Sequence, residues 1–201
     1  MPATLMTRRH LLAAAAAFSA SSALAQPARP RVRLQTDKGA MVLELADDKA
    51  PITAANFLRY VDARRFDGAV FFRASNAPGV PTLGFIQAGV RDPAKLFPPV
   101  AHESTLLTGL KHVDTAISMA RLAPGTAQSD FTICCGAAPH MDANPAAPGD
   151  NLGYAAFGQV VEGMDVARSI LIAPRNGPAP TPIMQGQMLD PPVRILSARR
   201  A

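Results

Sequence analysis

Short stretches in which apolar and polar residues alternate recur along most of this chain and predict β-strands. Two of them, at residues 32–34 and 41–45, flank the turn signal Asp37-Lys38-Gly39 and predict a β-hairpin. Six further strands are predicted where short apolar runs recur, at residues 70–72, 85–87, 116–120, 130–134, 154–160 and 193–196. Proline and glycine concentrate in the connections, of which residues 75–83 form one predicted loop. This arrangement is typical of a closed or nearly closed antiparallel sheet.

Two other stretches have helical periodicity. The first begins at Pro51, a residue suited to open a helix, and its apolar residues Ala54, Phe57 and Val61 recur at helical spacing. The second is shorter and covers residues 164–171. We expect the two helices to cover the open ends of the barrel and to shield its core.

The first 25 residues have the pattern of a signal peptide. Arg8 and Arg9 form a positive region, residues 11–18 are mainly apolar, and residues 23–25 form an Ala-Leu-Ala cleavage signal. The arginine pair also resembles a twin-arginine export signal. The apolar run is shorter than the roughly 20 residues that span a bilayer, although an uncleaved N-terminal anchor is the alternative. We predict a periplasmic or secreted protein with one domain at residues 26–201 and no stable membrane insertion after signal removal.

Composition and charge narrow the function classes. A hydrophobic fraction of 48% with 17% charged residues is ordinary for a globular protein. The formal net charge is +5, but Arg8 and Arg9 lie in the predicted signal peptide and no dense basic run follows, so we expect no nucleic-acid partner. Cys134 and Cys135 are adjacent and on a strand would point to opposite faces, which disfavours a bridge between them. The histidines lack metal-ligand spacing with the cysteines, and no metal site is predicted.

Four sequence blocks, in the same order along the chain, resemble the cyclophilin-type peptidyl-prolyl isomerases. The family patterns are P-x-T-x-x-N-F, F-H-R followed by Q-G-G, M-A-N followed by S-Q-F-F-I, and F-G-x-V-x-x-G-M. The matching segments here are residues 51–57, residues 71–73 with 87–89, residues 118–121 with 129–133, and residues 154–164. The resemblance covers residues 32–171, most of the chain that follows the predicted signal peptide.

The resemblance implies a mainly β fold, a closed eight-stranded antiparallel barrel capped by two α-helices, with the site on its outer face. It implies prolyl cis–trans isomerisation without a cofactor and proline-containing polypeptides as partners, and we expect a monomer. Arg73 would be the catalytic arginine, and Gln87 the glutamine that contacts the substrate backbone. The substrate-binding positions carried over from the family are Phe72, Phe85, Met119, Ala120, Arg121, Phe131, Thr132, His140, Met141 and Tyr154.

The chain departs from the family at several of these positions. Gly84 and Thr132 stand where the family has pocket phenylalanines, His140 replaces a common tryptophan, and Tyr154 replaces a histidine. The thinner apolar floor predicts that substrate binding suffers before the chemistry does.

Three functions stay open on the sequence alone. The first is a prolyl isomerase that assists the folding of exported proteins. The second is a catalytically weak proline-peptide-binding or chaperone module on the same fold, which Thr132 and Gly84 favour while Arg73 and Gln87 oppose it. The third is a different all-β exported protein, structural or ligand-binding.

Overall fold

Eight antiparallel strands close into a barrel in the computed structural model, which describes residues 28–201. Their order around the barrel is β1-β2-β7-β5-β6-β4-β3-β8, and β8 pairs with β1 to complete it. The strands are β1 (Arg31–Thr36), β2 (Gly39–Leu45), β3 (Val70–Ala77), β4 (Val80–Gly89), β5 (Ala116–Met119), β6 (Phe131–Cys135), β7 (Ala155–Glu162) and β8 (Met188–Arg200). The predicted mainly β fold with a closed eight-stranded barrel is confirmed. The predicted signal peptide, residues 1–25, lies outside the described residues.

Two α-helices pack their apolar faces against this barrel, as expected from their periodicity. They are α1 (Pro51–Asp62) and α3 (Met164–Leu171), and buried residues of both, including Phe57 and Ile170, belong to the same core as the strands. The structure adds a single helical turn, α2 (Thr105–Thr108), between the caps Ser104 and Gly109. One turn is too short to produce a 3.6-residue period, so the sequence pattern does not reveal it. Within residues 28–201, no helix is long and apolar enough to cross a membrane.

The N-terminus of α1 receives its cap from a distant residue. Ala50 occupies the N-cap position and offers no side-chain acceptor. The Glu103 carboxylate instead accepts hydrogen bonds from the backbone N–H groups of Ile52 (3.2 Å) and Thr53 (2.8 Å) and from the Thr53 hydroxyl (2.6 Å). An anionic acceptor at a helix N-terminus satisfies unpaired N–H groups and interacts favourably with the helix dipole. This contact ties the long connection between β4 and β5 to α1.

Phenylalanine rings fill the interior of the barrel. The Phe57 ring of α1 lies 4.9 Å from Phe66, 5.2 Å from Phe131 and 5.4 Å from Phe157, measured between ring centroids. All four side chains are fully buried. An interior packed in this way has no room for a ligand, so a binding site on this barrel has to lie on its outside.

Residues 75–83 form the end of a β-hairpin and not the predicted loop. Strand β3 extends to Ala77 and β4 begins at Val80, so that only Pro78 and Gly79 remain in the turn. The side chains along this part of β4 are mostly exposed, and strands without a buried face lack the alternation on which the prediction depends. Strand β8 is also longer than predicted, because its register with β3 shifts around Pro191 and Pro192 and a bulge accommodates prolines.

The two adjacent cysteines lie on β6, and both are buried and free. Cys135 belongs to the barrel core, whereas Cys134 belongs to a second, smaller apolar cluster on the other face of the strand. Burial raises the pKa of each thiol to about 12, so neither is a thiolate at neutral pH.

Candidate functional site

An open groove of about 730 Å³ crosses the outer face of the barrel over β3, β4 and β6. Its wall and floor contain nine of the residues predicted for the site: Arg73, Phe85, Gln87, Ala120, Arg121, Thr132, His140, Met141 and Tyr154. Strand alternation explains why residues from three neighbouring strands meet here. Phe85 and Gln87 on β4 face outward, while Ile86 and Ala88 between and beside them belong to the core.

The register of the strands brings three of these residues side by side. Arg73 of β3 is paired with Gln87 of β4, and Gln87 is paired with Thr132 of β6. Residues paired directly across neighbouring strands have their side chains on the same face and within contact distance. The sheet therefore presents an arginine, an amide and a short polar side chain in one row.

The Arg73 guanidinium is held by two glutamines. Its Nη1 donates to Oε1 of Gln87 at 3.1 Å, and its Nε donates to Oε1 of Gln187 at 2.8 Å. The guanidinium carbon lies 5.1 Å from the centroid of the Phe85 ring. Partial burial lowers the pKa of Arg73, while the nearby Tyr154 phenol acts in the opposite direction. Arginine remains charged under all these conditions because its ordinary pKa lies so far above neutrality.

Asp130 determines the orientation of the Gln87 amide. Arginine can only donate hydrogen bonds, so Oε1 of Gln87 faces Arg73 and Nε2 faces the Asp130 carboxylate, with 3.5 Å between Nε2 and Oδ2. The other oxygen of Asp130 pairs with the Arg91 guanidinium. Burial raises the pKa of Asp130, and the Arg91 charge and the hydrogen bonds counteract this effect. Sequence reasoning missed Asp130, although it stands at the glutamine position of the S-Q-F-F-I block.

At the other end of the groove, the Arg121 side chain is engaged in hydrogen bonds within the protein. It donates to the Asp150 carboxylate at 2.7 and 2.9 Å and to the Gly153 carbonyl oxygen at 2.9 Å, and its side chain is only 5% exposed. The hydrogen bonds from Arg121 lower the pKa of Asp150 to about 2. Its guanidinium carbon lies 5.5 Å from the Tyr154 ring centroid. Arg121 thus fixes the loop before β7 against the groove.

The apolar floor of the groove is small. Met141 lines it and belongs to a small buried cluster with Cys134, against which Phe85 and Tyr154 pack. Gly84 contributes no side chain, and the hairpin explains why. Gly84 is paired with Asn76, has φ +148°, and a Cβ at this position would overlap with the carbonyl oxygen of Ser75. The close approach of the two strands in the hairpin extension at residues 75–83 therefore requires glycine at position 84, so the groove has no side chain there.

Three predicted site residues do not line the groove. Phe131 is 0% and Met119 2% exposed, and both side chains belong to the barrel core. Phe131 and Thr132 are neighbours on β6 and point to opposite faces, so only Thr132 can face the groove. Phe72 lies outside the groove lining, and the Arg91 guanidinium covers its ring at 4.1 Å.

The structure adds groove residues from segments that carry no recognisable motif. Met184 lines the groove, and Gln187 bonds to Arg73, both from the connection between α3 and β8. Leu122, Thr126 and Gln128 line it from the connection between β5 and β6. Nothing in the sequence marks these residues, because they lie in connections without a motif and reach the groove only through the tertiary fold. Among residues 28–201, no group of three or more His, Cys, Asp or Glu side chains is arranged to hold a metal ion.

Comparison with known proteins agrees with this geometry. Residues 31–199 match the family model described as cyclophilin type peptidyl-prolyl cis-trans isomerase/CLD. A peptidyl-prolyl cis-trans isomerase of Acinetobacter baylyi is 31% identical over 173 residues, which cover 86% of each chain. Peptidyl-prolyl cis-trans isomerase A of Dickeya dadantii is 33% identical over 169 residues, which cover 82% of this chain and 85% of the relative.

A solved structure has the same fold. It is a cyclophilin type peptidyl-prolyl cis-trans isomerase of Cryptosporidium parvum in the presence of the dipeptide Ala-Pro, and it superimposes with a TM-score of 0.64 at 19% sequence identity. The superposition covers 85% of this chain and 98% of that one. The matched family model, the relatives and the barrel together identify the chain as a member of the cyclophilin-type peptidyl-prolyl cis-trans isomerases, a family of isomerases.

Proposed function

We propose that the protein catalyses cis–trans isomerisation of X–Pro bonds in polypeptides and that Arg73 stabilises the twisted amide. The observation that carries this proposal is the Arg73 guanidinium in the groove wall, held by two neutral amide oxygens beside the Phe85 ring. Because both acceptors are neutral, neither offsets the positive charge of Arg73, which can still interact with a substrate.

The chemistry requires one donor that acts mainly in the transition state. Resonance gives the peptide bond partial double-bond character and a barrier of about 18–20 kcal/mol. When the bond twists, resonance is lost and the proline nitrogen becomes a hydrogen-bond acceptor. A guanidinium directed at that nitrogen binds the twisted amide more strongly than the planar one, and such differential binding accelerates the reaction.

Arg73 retains donors for this purpose. Among the described residues, Nε and one N–H of Nη1 have acceptors, while Nη2 has no hydrogen-bond partner. Beside it, Phe85, Met141 and Tyr154 line the groove, and we propose that they form the apolar floor for the pyrrolidine ring. The bound ring would stay fixed on this floor while the acyl side rotates.

We also propose that the clients are exported polypeptides and that the protein is a periplasmic or secreted monomer. The support for export is the signal-peptide pattern of residues 1–25 with its arginine pair, Arg8 and Arg9. Proline-containing peptides as ligands are supported by the related Cryptosporidium parvum isomerase, which was solved in the presence of Ala-Pro.

Prolyl isomerisation by residues 26–201 on a series of short X–Pro peptides tests the catalytic proposal. The Arg73→Ala variant is expected to lose roughly 10²–10³ in kcat/KM, because it lacks one preorganised donor. Arg33→Ala, which removes an exposed arginine of β1, is the matched control and should keep the wild-type rate.

Two results would contradict the catalytic proposal. A folded wild-type protein that binds proline peptides without accelerating their isomerisation would favour the binding-module or chaperone alternative. An Arg73→Ala variant with wild-type kcat/KM would remove Arg73 from the mechanism while leaving the activity to other groups.

A further inference from the structure

The connection between α3 and β8 reaches the groove at Arg73. Gln187 accepts from Arg73 Nε at 2.8 Å through its side chain, and its backbone oxygen accepts from the Ala74 N–H at 2.8 Å. Side chain and backbone of one residue are thus attached to two consecutive residues of β3. The chain distance between Gln187 and Arg73 is 114 residues, so no local motif contains this contact.

Gln187 is itself held in one orientation. Its Nε2 donates to the carbonyl oxygen of Ile183 at 2.8 Å, and its backbone N–H donates to the carbonyl oxygen of Met184 at 3.0 Å. With Nε2 engaged, Oε1 is the atom that faces Arg73. The base of the connection is closed by backbone hydrogen bonds between Gly177 and Met188 and between Asp190 and Pro174, both 3.1 Å.

Two acceptors at different nitrogens fix a planar group better than one. A hydrogen bond from Nη1 to Gln87 alone would leave the guanidinium plane free to turn about the Cδ–Nε bond. The second hydrogen bond, at Nε, removes that freedom and directs Nη2 to one place. Both acceptors are neutral, so they orient the cation without the ion pairing that a carboxylate would introduce.

We propose that Gln187 is a positioning residue that holds the Arg73 guanidinium in its productive orientation; this inference rests on the role proposed above for Arg73. Displacement of a catalytic group by about 1 Å costs up to about 10²-fold in rate. Loss of the Gln187 hydrogen bond still leaves Gln87 in place, and we expect a loss of about tenfold in kcat with KM within about twofold of wild type.

The experiment compares Gln187→Leu, which keeps the size of the side chain and removes the acceptor, with Gln185→Leu. Gln185 is an exposed glutamine of the same connection and serves as the matched control. The measurements are kcat, KM and the solvent-exchange rate of the Arg73 Nε–H by ¹⁵N NMR, with the resonance assigned through its loss in Arg73→Lys. Gln187→Leu should lower kcat and accelerate this exchange about tenfold, because a hydrogen-bonded proton is protected. Gln185→Leu should change neither.

Gln187→Asn provides a second test if the leucine variant does not fold. Its side chain is one methylene too short to reach Nε, and it should reproduce the loss in kcat and the faster exchange. Unchanged exchange in a folded Gln187 variant, or faster exchange with unchanged kcat, would overturn the inference. Failure of the proposed function would appear differently: Arg73→Ala would keep the wild-type kcat, although the wild-type protein shows a protected Arg73 Nε–H and hence the hydrogen bond to Gln187.

Discussion

At the scale of single residues, Thr132 limits how much apolar surface the groove offers. Its Cβ substituents face the groove, and its hydroxyl donates only a long hydrogen bond, 3.4 Å, to the carbonyl oxygen of Ser118. Thr132→Phe should extend the floor beside Phe85. If the new ring covers about 40 Å² of the bound proline, the gain at about 25 cal/mol per Å² is about 1 kcal/mol, or about fivefold in KM.

Steady-state kinetics on an X–Pro peptide checks this prediction. KM should fall while kcat stays near wild type, because Arg73 and Gln87 are untouched. An unchanged KM in a folded Thr132→Phe protein would mean that the proline ring binds elsewhere in the groove.

His112 carries a second residue-scale prediction, which concerns pH. Its Nδ1 lies 2.7 Å from Asp142 Oδ1, and its Nε2 lies 2.8 Å from Ser118 Oγ. This Ser-His-Asp arrangement resembles a hydrolase triad, but Ser118 is fully buried and no substrate can reach it. Burial lowers the pKa of His112, and the Asp142 carboxylate acts against this effect. The folded protein therefore keeps a neutral imidazole whose proton lies on Nδ1.

The unfolded chain then binds more protons than the folded one just below the ordinary histidine pKa of about 6.5. Stability from this group is present above about pH 6.5 and is lost as the pH falls. Urea unfolding between pH 7.5 and 5.5 should show a decreasing free energy of unfolding, and His112→Gln should flatten this dependence. Equal slopes in both proteins would contradict the assignment.

At the scale of elements, the Glu103 carboxylate that caps the N-terminus of α1 contributes measurably to the free energy of unfolding. Glu103→Ala removes the acceptor of two backbone N–H groups and of the Thr53 hydroxyl. Loss of a helix cap typically costs about 0.5–2 kcal/mol, and we expect about 1–2 kcal/mol here. Urea denaturation measures it, with the exposed Glu162→Ala as the control. A Glu103 variant as stable as the control would show that water replaces the cap.

The elements differ in how far the sequence predicts them. Pro51 and the apolar spacing predict the start of α1, and residues 164–171 coincide with α3, because both helices bury one face. The end of the β3–β4 hairpin has little buried surface and therefore no pattern. Its path depends on Gly84 lying against the Ser75 backbone, a tertiary contact that residue type alone does not indicate.

At the scale of the whole molecule, the site depends on contacts that are far apart in sequence. Arg73 and Gln87 lie in recognisable blocks and are paired by neighbouring strands, so a resemblance suffices to place them together. The resemblance implies groove positions for both Phe131 and Thr132, because a sequence block does not show which of two adjacent residues points inward. The sequence does not reveal Gln187, because its contact with Arg73 forms only when β8 pairs with β3.

The pairing of the first strand with the last determines when the barrel can close. Until residues 188–200 have been synthesised, β1 and β3 each lack a neighbour, and the barrel remains an open sheet. Gln187 directly precedes this segment, so the hydrogen bond that orients the Arg73 guanidinium also forms only when the segment is in place. A chain that lacks residues 187–200 therefore has neither a closed barrel nor the hydrogen bond from Arg73 to Gln187. Loss of a few C-terminal residues should accordingly open the seam between β8 and β1 first.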